Sequence, residues 1–349
     1  MKLYEITLHA LSGFSAPIKG DTLFGQFCWQ AVHDPSILNG AVKTHFENYT
    51  KKPFIVFSSA FPKLSDPSQY ALKKPDLPAH MLFGDQAADC HEQQYQAKMR
   101  KQKRWMPVNA GTTPEIIHVG RCEDAELLTD GELLARIARN VSGSTRRQRQ
   151  QEGEHFIKTL IQPHNTISRL TDATGTDMFA PYIHRNLFYY PETELAVFVL
   201  IDADVTEIAD VRKALERIGQ WGYGRDASSG LGRFRVKNVT PLNYPACEDA
   251  DALYTLAPVT PAKDSFADAW FTPFIRFGKH GDQLAVSRNP FKTPVIMADE
   301  GAVFKPSHPS AFAKPYFGQA VTDVSMHKGT LVQGYAPVLP LKLEGCDEN

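Results

Sequence analysis

The most informative part of the sequence is Trp221-Gly222-Tyr223-Gly224-Arg225-Asp226-Ala227-Ser228-Ser229-Gly230-Leu231-Gly232-Arg233-Phe234. Four glycines lie within eleven residues, with Arg225 and two serines between them and Arg233 directly after the last. Glycine adopts positive φ and lets another backbone approach closely, and successive exposed N–H groups form an anion-binding concavity. Arg225 and Arg233 can add charge-assisted hydrogen bonds to phosphate. The stretch therefore predicts a glycine-rich loop that binds phosphate groups.

Two common phosphate-binding motifs do not describe this loop. The P-loop pattern GxxxxGK[ST] is absent from it. A dinucleotide-binding glycine turn follows a strand and opens a helix, whereas this loop follows a predicted helix and precedes a predicted strand near Phe234. Two interpretations stay open at this point: a loop that binds phosphate, and a flexible hairpin loop without a ligand.

The segments before the loop predict a strand and then a helix. Leu195 to Ile201 is a continuous apolar run, which is typical of a buried strand. Thr206 can cap a helix, and Gly219 and Gly222 can end it. The apolar residues between these signals step by three, four and three positions: Ile208, Val211, Leu215 and Ile218.

The N-terminal residues predict the same order of elements. Lys2 to Leu8 alternates between two sides, as a strand does. Asp21 can cap an amphipathic helix from Thr22 to Val32, and Phe54 to Phe57 is typical of a short buried strand. Two strand–helix–strand units predict an α+β fold of the ferredoxin-like (RRM-like) kind with antiparallel sheets. The open sheet face of such folds binds single-stranded RNA.

The remaining segments predict a boundary and two loops. The Pro/Asn/Asp-rich stretch from Pro241 to Asp251 divides the chain into an N-terminal domain, residues 1–243, and a C-terminal domain, residues 244–349. Lys63 to Pro78 is rich in proline and is expected to be irregular. Ser142 to Arg149 is small, polar and basic, and we expect a mobile loop there.

Composition indicates a globular chain with almost no net charge. The chain has 349 residues, of which 42% are hydrophobic, and its net charge is −1. The chain can therefore bury a full hydrophobic core. The near-equal numbers of positive and negative side chains argue against a strongly basic nucleic-acid binder. The apolar runs are too short to span a bilayer, and the N-terminus lacks a secretory pattern. The five cysteines form no CxxC pair, so we expect no zinc site and a cytoplasmic location.

Two further segments carry polar or basic groups. The stretch from His164 to Gly175 includes Asn165 and Arg169 and is rich in hydroxyl groups, which suit contacts to sugar and phosphate. Taken alone, it also fits an ordinary capped loop. Lys98 to Arg104 holds five cations in seven residues and is followed by Trp105. This basic stretch fits either an RNA or partner contact or a solvated helical face.

Three stretches occur in the same order in a known family. They are Gly20-Asp21-Thr22-Leu23-Phe24-Gly25, Asn165-Thr166-Ile167-Ser168-Arg169 and Gly230-Leu231-Gly232-Arg233-Phe234. On these residues the chain resembles the RAMP (repeat-associated mysterious protein) superfamily, and more narrowly the fourth Csm subunit of type III-A CRISPR complexes. Asn289 to Val295, Gly301 to Phe304 and Gly334 to Leu341 extend the resemblance over nearly the whole chain. The segment around residues 79–130 is not matched.

The resemblance implies a function in antiviral defence. It implies two ferredoxin-like domains that hold the 5′ handle of the guide RNA (crRNA), without catalytic residues, metal or cofactor. It implies two protein partners, the large polymerase-like subunit and the backbone RAMP subunit, and no association with a membrane. The residues expected to bind RNA are Lys19, Arg146, Arg147, Asn165, Arg169, Gly224, Arg225, Ser228, Ser229, Gly230, Gly232 and Arg233.

Three alternatives to a non-catalytic RNA-binding subunit stay open. The guide-processing endoribonuclease of the same superfamily uses a general-base histidine in or near its first helix, and His9 and His33 are candidates by position. Its glycine-rich loop lies close to the C-terminus, whereas 115 residues follow Phe234 here. A metal-dependent nuclease is the second alternative, but the carboxylates form no persuasive ligand set, and Asp21 is better explained as a helix cap. The third is a purely structural scaffold.

Overall fold

A computed structural model describes residues 1–65, 68–83, 90–110, 117–119, 127–152, 156–175, 177–245 and 249–343. The elements up to residue 242 are β1 (Lys2–Ala10), α1 (Gly20–His33), α2 (Val42–Asn48), β2 (Ile55–Ser65), β3 (Ser68–Lys73), α3 (Ala79–Phe83), α4 (Cys90–Gln102), β4 (Trp105–Asn109), β5 (Ile117–Val119), α5 (Asp130–Ile137), α6 (Gly143–Glu152), β6 (Ile157–His164), β7 (Tyr182–Tyr189), β8 (Glu194–Ile201), α7 (Ile208–Trp221) and β9 (Phe234–Leu242). The later elements are β10 (Ala252–Thr255), β11 (Phe266–Trp270), β12 (Pro273–Arg276), β13 (Val295–Ala298), β14 (Val303–Pro306), β15 (Tyr316–Gly318) and β16 (Tyr335–Leu343).

The N-terminal sheet has six strands in the order β4-β3-β2-β8-β1-β9. Two strand–helix–strand units, β1-α1-β2 and β8-α7-β9, are interleaved in it as β2-β8-β1-β9, and every neighbouring pair is antiparallel. This interleaving is the ferredoxin-like arrangement. The predicted α+β class with antiparallel sheets is therefore confirmed, and β3 and β4 extend the sheet beyond β2.

Helix α7 has the periodicity that its sequence predicts. Val211, Ala214, Leu215 and Ile218 are buried along one side of the helix and belong to the hydrophobic core. Residues three and four positions apart share a face of an α-helix, so this stripe covers the sheet. Within the described ranges, none of the helices combines the length and the apolar character needed to cross a bilayer.

The ends of α7 differ in part from the prediction. Thr206 does not cap the helix, because Glu207 occupies the N-cap position and the Thr206 hydroxyl donates to the carbonyl of Ile37. Gly219 lies inside the helix, where a Cβ would overlap the carbonyl oxygen of Phe234. This glycine therefore permits close packing of α7 on β9, and it is Gly222 that follows the last helical residue.

The C-terminal sheet runs in the order β11-β14-β10-β16-β15, with antiparallel pairing along this path. Strand β5 pairs in parallel with β16, so part of the 79–130 segment belongs to this sheet. Within residues 249–343 the structure shows strands and short 3₁₀ turns, such as Asp282–Val286 and Pro309–Ala313, and no α-helix.

The two sheets share one hydrophobic core. Tyr254 and Leu341 belong to the same contiguous cluster as Ile6 and Phe57 of the N-terminal sheet. The fully buried amide of Gln333 accepts from the Phe57 N–H at 2.9 Å and donates to the Phe57 carbonyl at 2.7 Å. Strand β9 ends at Leu242 and strand β10 begins at Ala252, on either side of the expected division between residues 243 and 244. The division into two domains itself stays a prediction.

Two segments expected to be loops are regular instead. Within the stretch from Lys63 to Pro78, β2 ends and β3 runs from Ser68 to Lys73. The stretch from Ser142 to Arg149 forms most of α6, so the expected mobile loop is wrong. The first turn of α6 is held by Glu192, whose carboxylate accepts from the Ser142 and Thr145 hydroxyls at 2.7 Å each. The start of α6 is thus held by a residue distant in sequence, whereas β3 pairs both with the adjacent β2 and with β4.

Candidate nucleic-acid interface

The glycine-rich loop closes on itself at its base. The Tyr223 N–H donates to the Gly232 carbonyl at 2.8 Å. Gly222 and Gly232 have φ of 114° and 75°. A Cβ at Gly222 would overlap the Leu231 carbonyl oxygen, and one at Gly232 would overlap the Tyr223 backbone. Glycine is therefore needed at both positions for conformation and for close approach.

The tip of the loop is open. Gly224 and Gly230 also have positive φ, 81° and 89°, and a Cβ at Gly230 would meet no atom within 4 Å. Ser228 and Ser229 are exposed. In the described part of the chain, the N–H groups of Gly224, Arg225 and Ser228 donate to no protein acceptor. These unused donors are the groups that an anion-binding loop offers to phosphate oxygens.

The segment between β1 and α1 anchors the loop. Ser15 Oγ donates to the Arg225 carbonyl at 2.9 Å, and Ser12 Oγ accepts from the Arg233 N–H at 2.9 Å. The Gly232 N–H donates to the Gly13 carbonyl at 2.7 Å. Because β1 and β9 are neighbours in the sheet, the β1–α1 connection lies beside the loop that precedes β9.

Tyr223 fixes the loop from below. Its ring is buried, and its hydroxyl donates to the Pro17 carbonyl at 3.1 Å and accepts from the Lys19 N–H at 2.9 Å. Burial raises the pKa of Tyr223, so the phenol stays protonated and can donate. The rigid base and the open tip together present the loop's cations outward.

The loop's two arginines differ in their pairing. The Arg233 side chain is exposed, and it forms no ion pair with the residues that the structure describes. The Arg225 side chain is 66% exposed, with its Nε 3.3 Å from the Asp226 carboxylate. Two more exposed cations, Arg235 and Lys237, follow on β9. Arg233 is therefore the least neutralised cation of the loop.

A β-hairpin that the sequence analysis did not predict lies next to the loop. Strands β6 and β7 pair in it, and Phe14 of the anchoring segment exchanges two backbone hydrogen bonds with Leu187, at 2.8 and 2.7 Å. His184 Nδ1 lies 3.8 Å from the carboxylate of Asp226, which adopts positive φ in the loop. The hairpin and the glycine-rich loop thus form one continuous surface.

One face of this hairpin is polar and aromatic. The rings of His164, Tyr182 and His184 lie 4.8–5.4 Å apart between centroids. Two buried polar atoms on this surface, His164 Nε2 and Asn186 Oδ1, have no hydrogen-bond partner in the described part of the chain, whereas Asp226 Oδ2 lies 3.3 Å from Arg225 Nε. A buried polar atom without a partner is costly, so the arrangement favours a ligand or ordered water there. The period-two spacing of Tyr182, His184 and Asn186 was the available sequence signal.

The predicted polar segment lies in the connection between β6 and β7. Asn165 and Arg169 are exposed, while Ser168 is buried and forms a turn in which its N–H donates to the Ala173 carbonyl. Leu170 in the same turn is 98% exposed. Asn165 directly follows His164, so the hairpin brings this segment and the loop onto one side of the molecule.

Arg146 and Arg147 lie on α6. Arg146 donates to the carbonyls of Ala138 and Arg139 at 3.0 and 3.3 Å, just after the last residue of α5. This guanidinium therefore stabilises a helix end, which differs from the role expected for it. Arg147 is exposed. The basic stretch Lys98 to Arg104 begins on α4, and Lys103 contacts Glu132 at 3.0 Å.

Lys19 is a correction to the expected RNA-binding set. Its side chain is 8% exposed, and its ammonium contacts Asp299 and, at 2.6 Å, Glu300. It also lies 4.6 Å from the centre of the Phe274 ring. A cation that already compensates two carboxylates in a buried cluster is not free for phosphate. Lys19 instead joins the start of α1 to the turn between β13 and β14.

Asp21 is a second correction, because it does not cap α1. Lys19 occupies the N-cap position, and Asp21 lies in the first turn with its side chain 2% exposed. Its carboxylate accepts from Arg276 of β12. The helix start that resembles the family is therefore part of a contact between α1 and the separate pair of strands β12 and β13.

The candidate general bases have different surroundings. His33 Nε2 lies 2.7 Å from the Asp282 carboxylate on an exposed surface. His9 is partly buried at the end of β1, where burial and then Lys237 lower the pKa of its imidazole. Among the residues in the described ranges, there is no group of three or more His, Cys, Asp or Glu placed to hold a metal ion.

The fold and the loop together define a class of protein, the α+β proteins with a ferredoxin-like sheet and a glycine-rich loop before its last strand. Over 97% of this chain and 99% of the other, the structure matches Csm4 in the crystal structure of a Csm3–Csm4 subcomplex of the type III-A CRISPR–Cas interference complex, with 12% identity and a TM-score of 0.52. It also matches Csm4 in Csm1–Csm4 cassettes bound to pppApA and to cA4. Both matches have 15% identity and a TM-score of 0.50, and they cover at least 99% of each chain.

The chain therefore has the fold of Csm4 over its whole length. No protein-family model and no curated protein sequence matches the chain. At this level of identity, the similarity establishes the fold and leaves the function to the geometry of the site.

Proposed function

We propose that this chain is a non-catalytic subunit of a type III-A CRISPR effector complex that holds the 5′ handle of the guide RNA. The observation that carries the proposal is the open loop tip. It combines positive-φ glycines with N–H groups and an exposed Arg233 guanidinium that find no partner among the residues the structure describes. Backbone N–H groups and arginine are the commonest ligands of nucleic-acid phosphates. The similarity of the fold to Csm4 supports a type III-A CRISPR complex as the assembly.

The phosphate contacts are assigned to the loop. Arg225 and Arg233 flank the exposed residues Ser228 and Ser229 and the partly buried Gly230. The net charge of −1 gives no general attraction for RNA, so binding depends on this local cluster. Arg169 and Arg147, both exposed, extend the same role to the hairpin connection and to α6.

Base contacts are assigned to the polar face of the hairpin. Tyr182 is 44% exposed and stacks on His164, with 13° between the ring planes. Aromatic side chains bind unpaired bases by stacking, and each such contact contributes about 1–3 kcal/mol. Tyr182 is therefore the exposed stacking group of this face, beside the partly buried rings of His164 and His184.

The proposed partners are the large polymerase-like subunit and the backbone RAMP subunit. The matched Csm4 chains were solved with Csm1 and with Csm3, which supports these two kinds of partner. The proposal that the chain is not an enzyme rests on the surroundings of the candidate bases. His33 is engaged with Asp282 at 2.7 Å. At the glycine-rich loop, His184 lies 3.8 Å from the Asp226 carboxylate, which is longer than a hydrogen bond.

Copurification tests this function directly. A tagged full-length chain is expressed with its neighbouring complex subunits, and the bound RNA is sequenced from its 5′ end. We expect RNAs that share one 5′ sequence of repeat origin. Proteins recovered without RNA, or with RNA of random 5′ ends, would refute the proposal. Arg212→Ala is a matched control for loop arginines, because Arg212 lies on α7 and pairs with Glu216 at 2.8 Å.

A further inference from the structure

Three exposed cations follow one another at alternate positions from the end of the glycine-rich loop onto β9. They are Arg233, Arg235 and Lys237, which we call the cation row. The residues between them, Phe234 and Val236, are 2% and 5% exposed. Because successive side chains of a strand point to opposite faces, all three cations lie on the exposed face of this edge strand.

Helix α7 covers the buried face of β9, so the cation row points away from that helix. A Cβ at Gly219 of α7 would lie 2.9 Å from a ring carbon of Phe234. On the other face, Arg235 pairs directly with His9 of β1, and His9 pairs with Glu194 of β8. Directly paired residues of antiparallel strands point to the same face. The end of the sheet nearest the loop therefore has a polar and charged outer face.

The members of the row differ in how far they are neutralised. Lys237 Nζ lies 3.4 Å from the Glu194 carboxylate. The side chains of Arg233 and Arg235 form no ion pair or hydrogen bond with the residues that the structure describes. Burial lowers the pKa of His9, and the charges of Lys237 and Arg235 lower it further, so the field of the row acts on this face. Two exposed guanidinium groups are thus left to bind an anion.

The two ends of the glycine-rich loop lead to different surfaces. The Leu11 N–H donates to the Arg233 carbonyl at 2.8 Å, which continues the pairing of β1 with β9 up to the loop. Three residues further on, Phe14 pairs with strand β7 of the hairpin, and Ser15 then holds the Arg225 carbonyl. The Arg225 end of the loop therefore adjoins the hairpin, whereas the Arg233 end continues directly into β9.

The spacing of the row suits a nucleic-acid backbone. An antiparallel strand rises about 3.4 Å per residue, so Arg233 and Arg235 lie about 6.8 Å apart along it. Consecutive phosphates of an extended single strand have a comparable separation, and proteins that bind single strands follow the backbone with a line of cations. Two neighbouring guanidinium groups can therefore contact two neighbouring phosphates.

We propose that Arg235 binds the phosphate next to the one held by Arg233, so that the RNA strand leaves the glycine-rich loop along β9. The ligand is the phosphodiester backbone of single-stranded RNA, and the inference rests on the function proposed for the loop. Lys237 compensates Glu194 instead of a third phosphate. Because backbone contacts carry no base information, Arg235 adds affinity without sequence preference.

The salt dependence of RNA binding is the first test. Arg235→Ala should lower the slope of log affinity against log salt by about 0.7, the effect of one phosphate contact on a single strand. Arg288→Ala is the matched control, because it removes the same charge from an exposed position between β12 and β13 and should leave the slope unchanged. An equal fall for both variants would show that only net charge matters, and it would overturn the inference.

The paired cation supplies a second control on the same strand. Lys237→Gln combined with Glu194→Gln removes both partners of the ion pair and keeps the net charge, so affinity and slope should stay unchanged. A fall in slope as large as that of Arg235→Ala would show a diffuse field rather than a defined contact. If the chain binds RNA only within the complex, guide retention against salt is measured for the same variants.

Single neutral linkages locate the two phosphates. A methylphosphonate replaces one charged phosphate oxygen with a methyl group, and it is placed at each linkage of the bound strand in turn. The linkage held by Arg235 is the one whose neutralisation weakens binding to the unchanged chain and no longer does so in Arg235→Ala. The linkage found in the same way with Arg233→Ala should be its immediate neighbour. Linkages that are not adjacent would overturn the inference.

The two arginines separate this inference from the function of the loop. Coupling to a phosphate at Arg233 alone would leave the proposed function standing and overturn the role of Arg235. Coupling at neither arginine would refute both. Both side chains are exposed, so the two variants should melt at the temperature of the unchanged chain, and a change in RNA binding then reports the lost contact.

Discussion

Arg276 donates to both carboxylate oxygens of Asp21, 255 positions earlier in the chain, through Nε at 2.5 Å and Nη2 at 2.7 Å. Asp21 lies in the first turn of α1 and Arg276 at the end of β12. The Asp21 side chain is 2% exposed, so its charge depends on this partner. The pair ties the N-terminal ferredoxin-like sheet to the C-terminal part beside the base of the glycine-rich loop.

Removal of this guanidinium should destabilise the protein strongly. Arg276→Ala leaves the buried Asp21 carboxylate without its partner, which costs about 3–5 kcal/mol in the free energy of unfolding. Urea denaturation of the full chain measures the change. Arg288→Ala is the control, because Arg288 is exposed and should change stability by less than about 0.5 kcal/mol. A loss below about 1 kcal/mol for Arg276→Ala would show that the pair is well solvated.

Lys19→Ala should affect stability rather than RNA binding. The ammonium compensates Asp299 and Glu300, and its loss leaves two carboxylates together in a largely buried cluster. We expect a loss of about 3 kcal/mol in unfolding free energy. RNA affinity measured against salt on the folded variant should keep the slope of the unchanged chain. A reduced slope would return Lys19 to the RNA-binding set.

Arg233→Ala should weaken RNA binding without changing sequence preference. One lost phosphate contact lowers the slope of log affinity against log salt by about 0.7 for a single strand. The same measurement on Arg212→Ala should leave both affinity and slope unchanged. If the chain binds RNA only within the complex, guide retention against salt is the corresponding measurement. Equal slopes for the two variants would contradict the role of Arg233.

Gly230→Val should reduce RNA binding more than either loop arginine change. Gly230 has φ of 89°, a conformation that β-branched residues rarely adopt, so the loop tip must rearrange. Gly329 is a matched control in a different loop, since its φ is 80° and a Cβ there would also meet no atom within 4 Å. Gly329→Val should have a similar stability cost and normal RNA affinity. Wild-type affinity from folded Gly230→Val would show that the loop is only a turn.

His9→Ala and His33→Ala should leave guide maturation and target cleavage intact. His33 is held by Asp282 on an exposed surface, and His9 lies at the end of β1 opposite Glu194, where burial lowers the pKa of its imidazole. The purified variants are incubated with repeat RNA and, in the assembled complex, with target RNA. Cleavage of repeat RNA by the unchanged chain that disappears in either variant would establish the enzymatic alternative.

The sequence predicted the local features of this fold well. The apolar run at Leu195 to Ile201, the periodicity of α7 and the positive φ of the loop glycines all follow from the residues themselves. Backbone sterics and side-chain periodicity act within a few positions, so a local pattern carries this information. The antiparallel α+β class followed from the order of such segments.

Charge and histidine assignments were less predictable. Lys19 and Asp21 have ordinary local signals of an exposed cation and a helix cap, yet both are buried against partners more than 250 positions away. Arg146 was expected at RNA and stabilises a helix end instead. The surface formed by His164, Tyr182, His184 and Asp226 had no signal beyond a short alternation, because its members come from three separate segments.

The sequence by itself determined the strand–helix–strand units β1-α1-β2 and β8-α7-β9 and the glycine positions of the loop, because these depend on the intrinsic conformational preferences of neighbouring residues. Only the tertiary structure decided which charges are neutralised and which histidines share a surface. Those features depend on strand order and register, and register is set by core packing between segments far apart in the chain.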